Sequence, residues 1–215
     1  MAARTIMHIP DGFLSDKVCA ATWIISAAGM GYYLKKTALT LKDKMIPLMG
    51  VMSAFIFVAQ MLNFPVFGGT SGHLLGAALA AILLGPYAAA IVLTCVLVIQ
   101  CLLFQDGGIT ALGANILNMA LLATLSGYAV YRLILAVVKK PSATLFAAMF
   151  AAWVSVVIAS FSCALELALS QTAPAKIVFT AMVGMHSLTG LIEAAITSLV
   201  VSFILKVRPD VLYKP

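Results

Sequence analysis

The fold is decided by residues 87–104, which read YAAAIVLTCVLVIQCLLF. This stretch contains no charged side chain. A transmembrane helix needs about 20 mostly apolar residues to cross a hydrocarbon core of ~30 Å, and all of its backbone polar groups must be paired within the segment. A continuous apolar run of this length, without alternation, therefore predicts a membrane-spanning helix.

The composition extends this prediction to the whole chain. Of its 215 residues, 63% are hydrophobic and only 9% are charged, whereas a water-soluble domain carries roughly 25% charged residues. The formal net charge is +6, but the basic residues lie between apolar runs, where they are better interpreted as topology signals than as a nucleic-acid surface. The sequence therefore predicts a multi-pass protein that contacts the lipid bilayer and no nucleic acid.

Six further helices are predicted on either side of residues 87–104. They run from about Lys17 to Leu34, from Met45 to Leu62, from Gly72 to the Gly85–Pro86 break, from Ile109 to Val138, from Ser142 to Ser170, and from Lys176 to Val207. We find no soluble domain, low-complexity linker or internal repeat. The expected fold class is all-α, a polytopic membrane bundle of about seven transmembrane helices, and residues 1–215 are expected to form a single transmembrane domain.

The basic residues predict the orientation of the bundle. They cluster at one side, which carries Lys35, Lys36, Lys42, Lys44, Lys139, Lys140, Lys206, Arg208 and Lys214. Cytoplasmic loops of membrane proteins are enriched in lysine and arginine. We therefore expect the N-terminus outside and the C-terminus in the cytoplasm.

Three histidines are the first candidates for chemistry. His8, His73 and His186 all fall in the predicted outer half of the bundle. Neutral imidazole binds nickel, cobalt, copper and zinc, so three scarce imidazoles in one half of a membrane protein suggest a metal site. The alternative is that they are unrelated interfacial or helix-bonding histidines, and their placement alone leaves both interpretations open.

The surroundings of His73 favour a ligand site. A glycine-rich loop, residues 67–72, precedes it, and glycines let the backbone approach a ligand closely. Thr70 or Ser71 is expected to cap a helix whose first turn presents His73.

Other polar side chains lie inside predicted spans or outer loops. Asp106 lies in an outer loop, and Asn115 and Asn118 follow it in the fifth predicted helix, where amides are costly unless paired or functional. Glu193 follows His186 by seven residues, on the same helix face. We expect it to bond a neighbouring helix or to support the site from a distance.

At these residues the chain resembles the CbiM/NikM family, the substrate-binding components of energy-coupling-factor transporters for cobalt and nickel. The matching segments are residues 7–14, residues 68–76, residues 106–115 with 118–120, and His186 with residues 190–194. Together they span nearly the whole chain in the family's order. The resemblance implies seven helices and an external N-terminus, in agreement with the topology predicted above.

The resemblance also implies a ligand set. Family members begin Met-His, and this terminus enters the helix bundle. Carried over, Met7 gives its amine, His8 its amide nitrogen and Nδ1, and His73 a fourth nitrogen. Four nitrogens in a plane suit Ni(II), Cu(II) and square-planar Co(II), but not Mg²⁺, Ca²⁺ or tetrahedral zinc. The supporting residues are expected to be His186, Asn115, Asn118, Ser71 and Asp106.

The start of this sequence departs from the family pattern. Residues 1–6 precede Met7, and with them attached Met7 has no free amine. Either translation starts at Met7 or these residues are removed. Because they are too short for a classical signal peptide, we favour a start at Met7.

The expected function is capture of Co(II), or alternatively Ni(II), by the membrane subunit of an ABC-type importer in the bacterial inner membrane. No GxxxxGK[ST] loop is present, so ATP hydrolysis must come from partners. The resemblance implies two cytoplasmic ATPases, a transmembrane coupling subunit and a small auxiliary membrane subunit. No resident cofactor and no enzymatic activity are expected. An intramembrane metal enzyme is disfavoured by the lack of HExxH, and a metal-independent small-solute permease is the more distant alternative.

Overall fold

The computed structural model describes residues 7–43, 45–62, 64–66, 70–140 and 142–213. The predictions made for residues 1–6, Lys44, residues 67–69 of the glycine-rich loop and Lys214 lie outside these ranges. Within them the chain forms seven helices, which are α1 (Asp16–Thr40), α2 (Met45–Met61), α3 (Ala77–Leu84), α4 (Pro86–Phe104), α5 (Leu112–Val137), α6 (Ala143–Leu169) and α7 (Ala175–Val207). A 3₁₀ turn at Pro209–Val211 follows α7.

The helical fold class and the seven helices predicted from the sequence are confirmed. The first helix is longer than expected, since α1 continues to Thr40 instead of ending near Leu34. Lys35 and Lys36 therefore lie on the helix and not in the loop after it. Tyr33 and Thr37 are buried, so packing against the bundle continues past the predicted end.

The prediction that the third helix begins at Gly72 is wrong. Two short strands, β1 (Phe64–Val66) and β2 (Thr70–Gly72), pair antiparallel with Val66 opposite Thr70. Residues 73–76 are irregular, and α3 starts only at Ala77. The reason is Gly76, whose φ of 75° is left-handed and cannot belong to a right-handed helix. Neither Thr70 nor Ser71 caps α3, because Gly76 occupies the N-cap position.

α3 is short and lies at the centre of the bundle. All eight of its residues are buried, and it packs on α4, α5 and α6. At 1.5 Å per residue it is about 12 Å long, much less than a bilayer crossing. Because Gly85 alone separates its C-terminus from α4, its N-terminus lies part-way through the bundle. Residues 73–76 are therefore brought into the protein interior.

α5 contains a departure that the sequence did not predict. Its first turn, Leu112–Asn115, and its long second part, Ala123–Val137, are α-helical, but Ile116–Leu122 is π-helical. The wider π turn changes which side chains face the interior, and such segments are frequent at functional sites. Asn115 ends the first turn and Asn118 lies in the π segment, and both are buried.

Four of the described helices, α4 to α7, are long and apolar enough to cross a membrane, and α2 is a shorter apolar helix. Large apolar side chains on them face outward; examples are Leu103, Leu199 and Phe203. Such a surface fits hydrocarbon and not water. These helices support the multi-pass architecture, while the orientation of the termini stays a prediction.

Candidate metal centre

The segment before α1, residues 7–15, forms an arm that enters the bundle. Met7, His8 and Ile9 at its start are at most 3% exposed. The side-chain amide of Asn115 brackets Ile9, because Asn115 Oδ1 accepts from the Ile9 amide at 2.8 Å and Asn115 Nδ2 donates to the Ile9 carbonyl at 3.2 Å. The Gly108 amide donates to the same carbonyl at 2.9 Å. The arm is thus fixed through its backbone, with His8 next to the bracketed residue.

A second set of hydrogen bonds holds the arm at Asp11, two residues after Ile9. The carboxylate of Asp11 accepts hydrogen bonds from the Ile109 amide at 3.2 Å, the Thr110 amide at 2.8 Å and the Thr110 hydroxyl at 2.5 Å. These bonds, led by the Thr110 hydroxyl, hold the pKa of Asp11 below its usual value. Gly108 is required here, since a Cβ on it would lie 2.2 Å from the Asp11 amide nitrogen. The loop between α4 and α5 is therefore shaped to receive the arm.

His8 and His73, which are 65 positions apart in sequence, meet inside the bundle. Their ring centroids are 4.8 Å apart and their planes are inclined by 68°. Nδ1 of His8 lies 3.1 Å from a carboxylate oxygen of Asp106, which is an ion-pair distance. The structure thus brings together three of the residues that the sequence singled out.

Three ring nitrogens at this site are buried and make no hydrogen bond to any residue that the structure describes: Nδ1 and Nε2 of His8, and Nε2 of His73. The other nitrogen of His73, Nδ1, lies 2.9 Å from the Leu74 carbonyl. A carbonyl can only accept, so this contact assigns the proton to Nδ1 and leaves a free lone pair on Nε2. Buried polar atoms without a partner are costly in a folded protein, and a bound cation would satisfy them.

The electrostatics of the site also favour a cation. Burial, together with the neighbouring His8, lowers the pKa of His73 to about 4, so the ring is neutral near pH 7, which is the metal-binding form of imidazole. Partial burial raises the pKa of Asp106, but the adjacent His8 and His73 lower it by a larger amount, so the pKa lies below its usual value. A carboxylate charge therefore lies beside the two imidazole rings.

For the remaining predicted site residues, the described contacts are with groups other than the His8 and His73 rings. His186 is on α7 and is buried, and its Nδ1 lies 2.7 Å from the Met182 carbonyl of the same helix. Asn118 donates to the Glu166 carboxylate on α6 at 2.7 Å and so ties α5 to α6. Ser71 lies in β2, opposite Pro65, and its side chain is outside the described part of the structure.

Within the described ranges, no group of three or more histidine, cysteine, aspartate or glutamate side chains is placed to hold a metal ion. Side chains alone therefore do not complete a site at His8 and His73. Met7 and His8, at the start of the arm, are themselves buried.

Comparison with known proteins identifies the chain at this point. Residues 8–211 match the model of the CbiM family, described as the cobalt uptake substrate-specific transmembrane region. The chain belongs to the CbiM family.

Individual relatives carry both metals in their names. A protein of Archaeoglobus fulgidus named as a fused nickel transport protein, NikMN, is 44% identical over 208 residues, which are 96% of this chain and 68% of the relative. A protein of Methanocaldococcus jannaschii named as a cobalt transport protein, CbiM, is 31% identical over 216 residues, 97% of this chain and 91% of the relative.

The fold is shared with a solved structure. The crystal structure of a truncated transition metal transporter superposes with a TM-score of 0.84 at 38% identity, covering 93% of this chain and 98% of the other. Together these similarities show that the chain is a membrane component of a cobalt and nickel transport family and a multi-pass membrane protein.

Proposed function

We propose that this chain captures Co(II) at its N-terminal arm and is the substrate-binding subunit of an importer of the energy-coupling-factor type. The observation that carries the proposal is the meeting of His8 and His73, where three buried ring nitrogens make no hydrogen bond within the described ranges and the Asp106 carboxylate lies 3.1 Å from one of them. Soft or borderline nitrogen donors of this kind select transition metals over Mg²⁺ and Ca²⁺.

The ligand set we propose is the Met7 amine, the amide nitrogen and Nδ1 of His8, and Nε2 of His73. An amine, the next amide nitrogen and the imidazole form adjoining five- and six-membered rings around one ion, and His73 adds a fourth nitrogen. This set needs a chain that begins at Met7. The burial of Met7 beside His8 supports it, as does the free lone pair on His73.

We propose supporting roles for the residues whose contacts surround the site. Asn115 and Asp11 fix the arm, and Asp106 adds negative charge next to His8. Asn118 stabilises the π segment of α5 through Glu166. We propose that His186 and Ser71 act at a greater distance from the ion.

Nickel is a second candidate substrate, and one observation favours it. The NikMN relative is 44% identical to this chain, whereas the CbiM relative from Methanocaldococcus jannaschii is 31% identical. Cobalt is supported by the description of the matching family. The proposed ligand set fits both ions, and nitrogen-donor affinity rises from Co(II) to Ni(II) by ligand chemistry alone.

The partners are also part of the proposal. The sequence has no phosphate-binding loop of the GxxxxGK[ST] type, so energy must come from other subunits. We propose two cytoplasmic ATPases, a transmembrane coupling subunit and a small auxiliary membrane subunit. The arm then lies on the outer face of the cell membrane, a bacterial inner membrane in our proposal, and the C-terminus in the cytoplasm, as the basic residues predict.

A comparison of two purified proteins tests this function. One begins at Met7, and the other begins at Met1 and keeps residues 1–6. An amine of pKa near ~8 is available once a metal competes, whereas the Ile6–Met7 amide must lose a proton first. We expect tight Co(II) and Ni(II) binding, with the short-wavelength d–d absorption of a planar nitrogen site, only in the first protein.

The control is His8→Ala in the protein that begins at Met7, which should lose the d–d band. Mass spectrometry of the natural protein shows which start exists in cells. Tight planar binding by a natural protein that retains Met1 would overturn the ligand assignment. Equal and weak binding of both ions by all these proteins would instead favour a metal-independent permease.

A further inference from the structure

The irregular segment before α3 poses a hydrogen-bonding problem. Residues 73–76 lie outside any helix or strand, and Leu75 and Gly76 are buried, whereas His73 and Leu74 are half-buried. Buried non-helical backbone requires protein groups that satisfy its amides and carbonyls. The groups that do so here determine where His73 lies.

Glu193 of α7 satisfies the two amides. One of its carboxylate oxygens accepts from the Leu75 amide at 2.8 Å and the other accepts from the Gly76 amide at 2.7 Å. Glu193 is only 2% exposed. Because Gly76 is the N-cap of α3, the carboxylate also lies at the positive end of that helix, where a negative charge is stabilised.

Gln60 of α2 satisfies the carbonyl between those amides. Its Nε2 donates to the Leu75 carbonyl at 2.9 Å, and its side chain is fully buried. Side chains of two other helices therefore hydrogen-bond both the N–H groups and the carbonyl around the Leu75–Gly76 peptide. Gly76 adds a steric limit, since a Cβ on it would lie 3.0 Å from the Ile56 side chain.

These hydrogen bonds affect the position of His73 because only one residue separates it from Leu75 in the chain. His73 precedes Leu75 by two residues, and its Nδ1 contacts the Leu74 carbonyl at 2.9 Å. That contact fixes which ring nitrogen is free, and it depends on the position of the Leu74 peptide. A shift of Leu75 and Gly76 would therefore move or rotate the imidazole.

We propose that Glu193 is a positioning residue for metal capture, which holds the His73 loop from α7 so that Nε2 of His73 faces His8. The proposal rests on the proposed function, because it assigns Glu193 a role at that same site. Glu193 does not touch the metal ion. It acts through the backbone of Leu75 and Gly76, and it couples α7, which also carries His186, to the position of one ligand.

The variant Glu193→Gln tests this role at nearly constant side-chain volume. The amide offers one acceptor oxygen and turns a donor NH₂ toward a donor N–H, so one of the two bonds is lost. We expect faster hydrogen exchange in residues 73–76 of the metal-free protein. We also expect Co(II) affinity to fall by roughly 10–100-fold, the range for residues that orient a ligand, while the d–d band at saturating Co(II) keeps its wavelength.

The matched control is Thr197→Val. Thr197 is 1% exposed and lies one turn further along α7, and this change alters a buried polar group of the same helix while leaving the Glu193 bonds to Leu75 and Gly76 in place. We expect wild-type exchange and affinity. If Thr197→Val changes both quantities as much as Glu193→Gln does, the effect is a general loss of packing and the proposal is overturned.

The other outcomes are equally decisive. Unchanged exchange in Glu193→Gln, or faster exchange with unchanged affinity, overturns the positioning role, and a shifted d–d band makes Glu193 a direct ligand instead. If Glu193→Gln does not fold, Glu193→Asp, which keeps both oxygens one methylene further away, must show faster exchange and weaker binding, and wild-type values would refute the proposal.

Failure of the metal site itself is seen separately, as undiminished Co(II) binding by His73→Ala, whereas the exchange experiment uses no metal.

Discussion

The two ends of α3 are held in different ways. At its N-terminal end, two buried polar side chains from other helices, Glu193 and Gln60, bond the backbone at three points. At its C-terminal end, the amide of Tyr213, in the segment after α7, donates to the Ile82 carbonyl at 3.0 Å. The Tyr213 ring packs against Tyr128, with ring centroids 5.8 Å apart.

The difference suggests that the N-terminal end of α3 serves metal binding and that the C-terminal end serves the stability of the bundle. Buried polar side chains are costly inside a membrane protein and usually mark function, and here they gather at the end of α3 that carries His73. The opposite end uses a backbone bond and aromatic packing, which stabilise the bundle without presenting a ligand. Changes at the first end should therefore alter metal binding, and changes at the second end should alter stability.

The largest effect is expected for His73→Ala. It removes a proposed ligand nitrogen, and Co(II) binding should fall by more than the roughly 10–100-fold typical of a residue that only orients a ligand. Equilibrium dialysis of the folded protein in detergent measures this. His73→Gln, which keeps a polar side chain but no imidazole, should lose binding equally; a glutamine variant that binds as tightly as wild type would remove His73 from the site.

A smaller effect is expected for Asn115→Ala, which releases the arm. Both bonds to Ile9 are lost and a buried amide is left unpaired, at a cost of about 1–3 kcal/mol. By the relation of tenfold per 1.4 kcal/mol, Co(II) affinity, measured by equilibrium dialysis, should fall by about 5–140-fold.

Asn115→Asp provides the comparison for this change. It keeps the acceptor for the Ile9 amide, which is the shorter of the two bonds at 2.8 Å, but it turns a second acceptor oxygen toward the Ile9 carbonyl, where Nδ2 donates in the wild type. Its loss of Co(II) affinity, measured by equilibrium dialysis, should be at least as large as that of Asn115→Ala. An aspartate variant that binds as tightly as wild type would mean that the arm is not held as the structure indicates.

For His186→Ala we expect a loss near the lower end of roughly 10–100-fold. Its Nδ1 contacts the carbonyl of Met182 on its own helix, so it is assigned a supporting role. Isothermal titration with Co(II) checks this. A collapse of binding equal to that of His73→Ala, in protein that stays folded, would promote His186 to a direct ligand.

The smallest effect on metal binding is expected for Tyr213→Ala, at the opposite end of α3. Loss of the ring contact with Tyr128 should lower stability by roughly 0.5–3 kcal/mol, the usual range for single substitutions, seen as a lower Tm in detergent. Co(II) affinity should match wild type. Weakened binding with an unchanged Tm would contradict the division between the two ends.

Most of the helical fold could be predicted from the sequence, because each long apolar run forms a helix regardless of its neighbours. The His73 segment could not. Its course depends on Gly76, whose left-handed φ gives no periodic signal, and on Glu193, which bonds a backbone 117 positions away. The sequence marked Glu193 as polar within a helix, but its partner appears only in the fold.

The candidate site was predicted in the same partial way. His8, His73 and Asp106 were singled out by residue type, and the structure places them together. The bracket that Asn115 forms around Ile9 spans 106 positions, and the π turn beside it leaves no pattern in apolar residues. Long-range bonds between single side chains and backbone are what periodicity cannot reveal.

X-ray absorption at the cobalt edge, on Co(II)-loaded protein that begins at Met7, tests the central claim most directly. We predict a first shell of four nitrogen donors, with the outer-shell scattering of two imidazoles. Replacing either His8 or His73 by alanine should reduce that scattering to one imidazole in whatever metal remains bound. A first shell with sulfur, or one of six oxygens, or outer-shell scattering that is the same in both alanine variants as in wild type, would contradict the account.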